Sequence, residues 1–268
     1  MANKPLEIPI PIPSLCKVKV HHSICLELQG FIDRILQIIL AIESFRPNCE
    51  LAIQALCSLH FTLDKAKSVI KDCSESSKLY LAITSHKIFS RCEKIRNAFK
   101  LYLDQIQHVV PIPLAAKISA ILHDLRDLKF SLESAEGDAR KVVLSLFEKD
   151  LSDSASIENA ELVAIQTATS RLGIVSQFAL LVEKATLKRQ LDKANYTNQK
   201  EKGLLEYLLY LLIKHGKIIC QFQNGSHSLQ HEYHHQSIKQ DLLVDEAMSE
   251  NQVNGSIDPK AGDLGLLS

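Results

Sequence analysis

The stretch CELAIQALCSLHFTLDKAKSVIKDC (Cys49 to Cys73) decides the fold class. Its residues Cys49, Ala52, Leu56, Leu59, Leu63, Ala66, Ile70 and Cys73 recur at alternating steps of three and four. An α-helix turns once every ~3.6 residues, so this spacing lays one continuous apolar stripe along a helix. A strand would need period-two alternation, and no segment of the chain shows that over a convincing length. No sheet is expected.

The pattern extends in both directions. A second stripe runs through Ile88, Cys92, Ile95, Phe99, Leu103, Ile106 and Val110, and a third through Ile118, Ile121, Leu125, Leu128 and Leu132. Pro111 and Pro113 separate them, because proline cannot continue a helix interior. Upstream, Val18 to Ser44 is apolar on more than one side, which suits a central helix. It ends near Arg46-Pro47, where the residue before proline is pushed out of the helical region. A short turn around Ser77 to Ile83 completes the first half. Four long helices with short connections predict an antiparallel four-helix bundle.

Shorter helical pieces follow. Ala139 to Phe147 carries Val142, Val143, Leu146 and Phe147; DLSDSAS (Asp150 to Ser156) is a predicted loop. Ile157 to Leu172 and Ser176 to Ala194 are divided at Gly173, and NYTNQK (Asn195 to Lys200) is a predicted linker before the helix Gly203 to Phe222. From Gln223 onward Gly, Ser, Asn, Gln and acidic residues dominate, too little apolar surface to offset ordering entropy. The expected organisation is therefore all-α: a Pro-rich flexible arm over 1–16, a helical domain over 17–222 built as an N-terminal four-helix bundle extended by further helices, and a disordered acidic, His-containing tail over 223–268. A short helix near Ile238 to Met248 is the one element expected in the tail.

Composition bounds the function. Thirty-one Lys and Arg balance thirty-one Asp and Glu, which argues against broad electrostatic capture of nucleic acid. The N-terminal IPIPIP pattern is no signal-peptide core, since Pro9, Pro11 and Pro13 interrupt it; it suits a polyproline arm. The most apolar run, Phe31 to Ile42, is broken by Asp33, Arg34 and Gln37 and is too short to span a bilayer. The seven cysteines form no C-x-x-C pair and read as reduced thiols. Cytoplasm or nucleus is the expected compartment.

Four features invite a chemical reading. HEYHH (His231 to His235) spells H-E-x-x-H, which in zinc peptidases needs a rigid helix and a third ligand. Its flanks QNGSHSLQ and QSIKQDLL supply neither, so proteolysis is rejected and only incidental metal affinity through His227, His231, His234 and His235 is left. His21-His22 is a partial ligand pair on its face, but a solvated approach to the first helix is the plainer reading. Lys184, Lys188, Arg189 and Lys193 form a basic run in which Lys184 and Lys188 share a helical face. It suits a phosphorylated partner or an anionic membrane surface, against a default of a solvated face. No nucleophile elbow and no phosphate-binding glycine loop occurs. The sequence thus predicts no catalytic residue, no cofactor-binding residue, no metal ligand and no cofactor.

More specific than any of these is LAIQALCSLHFTLDKAKSVIKDCSESSKLYLAIT (Leu51 to Thr84). It resembles the N-terminal domain of plant U-box E3 ubiquitin ligases that also carry armadillo repeats, in which an IQALCSL…KAK helix leads into CSE-x-SKLYLAIT. Further motifs of that family follow in its order: KVKVHHSIC (Lys17 to Cys25), SFRP (Ser44 to Pro47), SRCEKIRNA (Ser90 to Ala98), QIQHVVP (Gln105 to Pro111) and LAAKISAILHDLRDLKF (Leu114 to Phe130). Then come ATSRLGIVS (Ala168 to Ser176), ALLVEKATLKRQLDK (Ala179 to Lys193) and LLEYLLYLLIKHGKII (Leu204 to Ile219). The resemblance covers roughly residues 17–222. It departs from the family at ITSH (Ile83 to His86), where an ITGD-like turn is usual.

That resemblance implies a helical partner-binding domain preceding a U-box, a metal-free module that holds a ubiquitin-charged E2 enzyme. A U-box would open with a CPISL-like motif and include a tryptophan; this chain has neither. The expectation is a non-catalytic protein-interaction domain of the ubiquitination pathway, as a short product or one piece of a longer chain. Protein kinases and trafficking factors are the partners the resemblance suggests, and E2 binding is not expected. The alternative is a helical bundle acting at an anionic membrane.

Overall fold

The computed structural model describes residues 17–45, 50–148, 154–194 and 199–224. Among the described residues there are nine helices and no strand: α1 (His22–Phe45), α2 (Glu50–Glu75), α3 (Lys78–Ile83), α4 (Ser85–Gln107), α5 (Ile112–Asp127), α6 (Ser134–Glu148), α7 (Ser154–Arg171), α8 (Gln177–Lys193) and α9 (Gln199–Asn224). The chain divides into two units, Met1–Gln223 and Asn224–Ser268, and the helices belong to the first, which takes in all of α9 but its last residue. The proline-rich arm, Cys49, and the tail from residue 225 with its expected short helix lie outside the described residues.

The four-helix bundle is present. α1 packs on α2, α2 on α4, α4 on α5 and α5 back on α1, closing a ring. Its core takes the stripes read from the sequence: Leu59, Leu63 and Ile70 from α2, Cys92, Phe99 and Leu103 from α4, Ile118 and Leu125 from α5. α1 adds Ile24, Ile32, Ile35 and Ile39. Each such side chain gains about 1.5–3 kcal/mol on leaving water. α1 is not central, however. It holds one corner of the ring, and two of its apolar residues, Leu26 and Leu40, are 55% and 66% exposed.

A second core lies beyond the bundle. Val143 of α6, Ile165 and Ala168 of α7, Leu180 and Leu187 of α8, and Leu205, Leu208, Leu211 and Leu212 of α9 fill it. The short α3 joins the two. Leu81 belongs to the bundle core, while Leu79, Tyr80, Ala82 and Ile83 belong to the second. Successive helical residues point ~100° apart, so one short helix can serve both sides at once.

Helix ends depart from the sequence reading in several places. α6 opens at Ser134 rather than Ala139, because its first turn is polar and buries Glu136 instead of an apolar side chain. α7 opens at Ser154, inside the predicted loop, and α9 at Gln199, taking the last two residues of the predicted linker. α5 ends at Asp127 with Leu128 as C-cap, so Leu128 and Leu132 leave the third stripe. α4 ends at Gln107, leaving Val110 outside the helix, in line with the constraint Pro111 places on the residue before it. Leu128 and Val110 nonetheless pack against the bundle core.

The break at Gly173 has a clear local cause. Gly173 has φ of +64°; its N–H bonds the Ser170 carbonyl at 3.2 Å, and the Ile174 N–H bonds that of Thr169 at 2.7 Å. This is the Schellman arrangement, in which a left-handed residue closes the helix and glycine carries no steric penalty.

Candidate interaction surface and the polar joint behind it

The polar residues of the specific motifs converge on α3. Ser77 caps its N-terminus, its hydroxyl oxygen accepting the Tyr80 N–H at 3.1 Å. The same hydroxyl donates to Glu183 Oε1 of α8 at 2.5 Å, and the Leu79 N–H donates to that oxygen at 3.0 Å. Gln190, two turns further along α8, accepts the Ser77 N–H at 2.8 Å. Glu183 is only 3% exposed, so α8 delivers a buried carboxylate to the helix end where unpaired N–H groups and the helix dipole favour one.

Other elements bind the rest of α3. The Tyr80 hydroxyl donates to Glu201 of α9, and the Lys87 ammonium lies 3.5 Å from that hydroxyl and 3.4 Å from Glu201 Oε2. Burial, then the Glu201 contact, pushes the Tyr80 phenol well above its usual range. Lys78 donates to the Leu172 carbonyl at 3.0 Å, near the Schellman turn, and Arg140 Nε to the Ile83 carbonyl at 3.3 Å.

His21 is the largest correction to the sequence reading. It is 1% exposed rather than solvated, with φ of +60°. Its N–H donates to Glu136 Oε1 at 2.5 Å, its Nδ1 lies 2.7 Å from Glu136 Oε2, and its Nε2 lies 3.2 Å from the Leu81 carbonyl oxygen. The left-handed backbone aims the amide and the ring at one carboxylate. His22 is exposed and faces elsewhere, so the two histidines make no ligand pair.

A further buried carboxylate, Glu161 of α7, accepts from Tyr207 at 3.2 Å and from Lys214 at 3.0 Å. Burial, with Glu161 next, pushes the Tyr207 phenol up to about 12. His215 Nε2 stands 3.7 Å from Glu161 and has no hydrogen-bond partner among the described residues. Nothing in the sequence singled out Glu136, Glu161 or Glu183. A buried glutamate has the same local spacing as a solvated one, and its partners are distant in the chain.

What faces outward is a stripe on α8. Phe178, Leu181, Val182 and Ala185 are exposed at helical spacing, the first three at 59%, 48% and 40%. Toward the C-terminal end the exposed residues become charged: Lys188, Arg189, Asp192 and Lys193. The predicted shared face of Lys184 and Lys188 is split. Lys184 is half-buried over α9, where a Cβ added at Gly216 would come within 3.2 Å of its Nζ. The sequence did not reveal the stripe because FALLV is apolar in unbroken run, which fits every face of a helix.

HEYHH and the tail histidines His227, His231, His234 and His235 lie outside the described residues. Among the described residues, no group of three or more His, Cys, Asp or Glu is arranged to hold a metal ion. No described helix is long and apolar enough to cross a membrane.

The fold and this surface define an all-helical scaffold with two cores, a buried polar joint and an apolar-to-cationic outer helix. Its sequence relatives are plant proteins. U-box domain-containing protein 7 of Arabidopsis thaliana is 34% identical over 201 residues, 75% of this chain and 26% of that protein. U-box domain-containing protein 5 is 40% identical over 170 residues, 63% of this chain and 23% of that protein, and U-box domain-containing protein 6 is 33% identical over 201 residues, 75% and 26%. The chain is a relative of the plant U-box domain-containing proteins, and spans about a quarter of the length of the relatives it matches. No family model matches the chain, and no solved structure does.

Proposed function

We propose that residues 17–224 are a non-catalytic protein-interaction domain of the ubiquitination pathway, acting in the cytoplasm or nucleus. The observation that carries this reading is the division of labour between the two sides of α8. Its inward Glu183 and Gln190 hold α3, while Phe178, Leu181 and Val182 stand exposed among the described residues. Exposed apolar side chains at helical spacing mark protein contact surfaces. The occupant in this reading is a substrate or regulator of a ubiquitin ligase, with the cytoplasmic domain of a protein kinase as the leading class. The anionic-membrane reading rests on Lys188, Arg189 and Lys193 alone.

In-cell crosslinking of the full chain, followed by binding of each purified partner to wild type and to Phe178→Asp/Leu181→Asp, tests the proposal. The expected result is at least one direct partner whose affinity the double variant weakens about tenfold or more. Ubiquitin transfer by this chain from a charged E2 enzyme would overturn the non-catalytic reading. Equal binding by the two proteins would overturn the surface. Flotation with phosphatidylserine vesicles at low salt, if it captured wild type strongly, would favour the membrane reading.

A further inference from the structure

The C-terminal end of α8 borders a cleft of about 400 Å³ against the end of α2 and the segment preceding α1. Lys19, Arg189 and Lys193 line it, with Gln190, Asp72 and Glu75. Asp72 is already engaged by Arg91 at 2.6 Å. With Asp72 set against Arg91, three cations and one carboxylate, Glu75, line the cleft, while the buried Glu183 acts on Lys19 from behind; among the described residues no carboxylate lies within ion-pair distance of any of the three. The cleft holds an excess of two positive charges.

Three carbonyls near the end of α2 take donors other than those cationic side chains: Ile70 the Ser74 hydroxyl at 2.9 Å, Asp72 the Ser76 N–H at 3.0 Å, and Cys73 the Lys19 N–H at 3.3 Å. Gln190 is fixed as well. Its Oε1 accepts the Ser77 N–H, and the residue lines the cleft. Lys19 is half-buried, and burial draws its ammonium pKa below the ordinary lysine value; Glu183 opposes that shift, whereas Arg189 and Lys78 add to it. The site is a concave set of nitrogen donors at the cationic end of an apolar stripe.

We propose that this cleft binds the phosphate of a phosphorylated serine or threonine carried by a partner segment lying along α8. A dianionic phosphate offers three acceptor oxygens and supplies the two negative charges the cleft lacks. Arg189 reaches two of those oxygens in its planar fork, and Lys19 and Lys193 act as point charges. Concavity favours a protruding side chain over a bilayer, and Glu75 on the rim repels an extended anionic surface. The inference rests on the protein-interaction reading and adds phosphorylation of the partner as its condition.

The test is a titration of the full chain with inorganic phosphate and with O-phosphoserine, read by amide chemical shifts. The expected result is saturable shifts around Ser76 and Gln190 at millimolar ligand, with Arg189→Glu/Lys193→Glu weakening binding about tenfold or more. Lys188→Glu, which changes charge on the same helix outside the cleft, leaves the affinity unchanged. Unchanged far-ultraviolet circular dichroism and melting temperature establish that the double variant folds. Absence of saturable shifts overturns the proposal. So does capture by phosphatidylserine vesicles without a phosphoserine response, and so does an equal effect of Lys188→Glu. If crosslinked partners are lost in Phe178→Asp/Leu181→Asp but kept in Arg189→Glu/Lys193→Glu, the interaction domain stands and the phosphate site fails.

Discussion

Glu136 and His21, 115 residues apart, meet through contacts of 2.5 and 2.7 Å that leave both side chains at most 5% exposed. They close the polypeptide between the segment leading into α1 and the first turn of α6, and so tie the bundle to the second core. Neither residue can be solvated in the folded chain, so each depends on the other. Glu136→Ala leaves the His21 N–H and ring without their acceptor and should cost about 2–4 kcal/mol. Chemical denaturation measures this; a loss under about 0.5 kcal/mol, the size of an ordinary surface substitution, is the outcome that contradicts it.

Ser77 and Glu183 give a second, separable test. Ser77→Ala removes the N-cap of α3 and one of the donors to Glu183, for an expected loss of about 1–2 kcal/mol. Glu183→Ala strands the Leu79 N–H as well, and should cost about 1–3 kcal/mol. Because the two share one hydrogen bond, the double variant should lose less than the sum. Additive losses would show that the contact contributes nothing of its own.

Thiol reactivity should divide the cysteines sharply. Cys25, Cys73 and Cys92 are fully buried, whereas Cys57 is exposed on α2. Burial, then the neighbouring Cys73, pushes the Cys92 thiol up to about 12, and the adjacent Cys25 thiol, then burial, pushes Cys73 up further. Thiolates are the reactive form, so both are silent at neutral pH. Iodoacetamide labelling read peptide by peptide should modify Cys57 within minutes and the buried three only on unfolding. Rapid labelling of Cys92 in the folded chain is the contrary result.

High pH should unfold the second core first. A tyrosine whose folded pKa exceeds its unfolded value near 10 contributes stability that is complete below the unfolded value and lost as pH rises through the folded one. Tyr207, pushed up to about 12, places that loss between roughly pH 10 and 12, and Tyr80 extends it upward. Tyr207→Phe should flatten the decline in denaturation midpoint over that window. An unchanged slope would mean that Tyr207 ionises without disturbing Glu161.

The bundle was legible because its information is periodic. Leu59, Leu63, Ile70, Ile88, Cys92, Phe99 and Leu103 are each buried where spacing alone put them. The joint was not legible, because periodicity says nothing of which polar residue turns inward. His21 read as solvated since histidine before a helix usually is; only Glu136, a hundred residues on, makes its burial affordable. The α8 surface was hidden for the opposite reason. Phe178, Leu181 and Val182 sit in an unbroken apolar run, and nothing local distinguishes a leucine in a core from one awaiting a partner. For the same reason α6 and α9 begin earlier than expected, with polar first turns that carry no stripe.

The position of α3 also bears on synthesis. Tyr80 leaves the ribosome 121 residues before its partner Glu201, and Ser77 leaves 106 before Glu183. At typical elongation rates that interval is on the order of ten seconds. Within it the bundle can close around Leu81 and α6 can dock on α3, but Leu79, Tyr80, Ala82 and Ile83 still lack the cover that α8 and α9 supply. The nascent chain thus displays a half-covered helix until α8 and α9 emerge, a window in which chaperones have a defined place to hold.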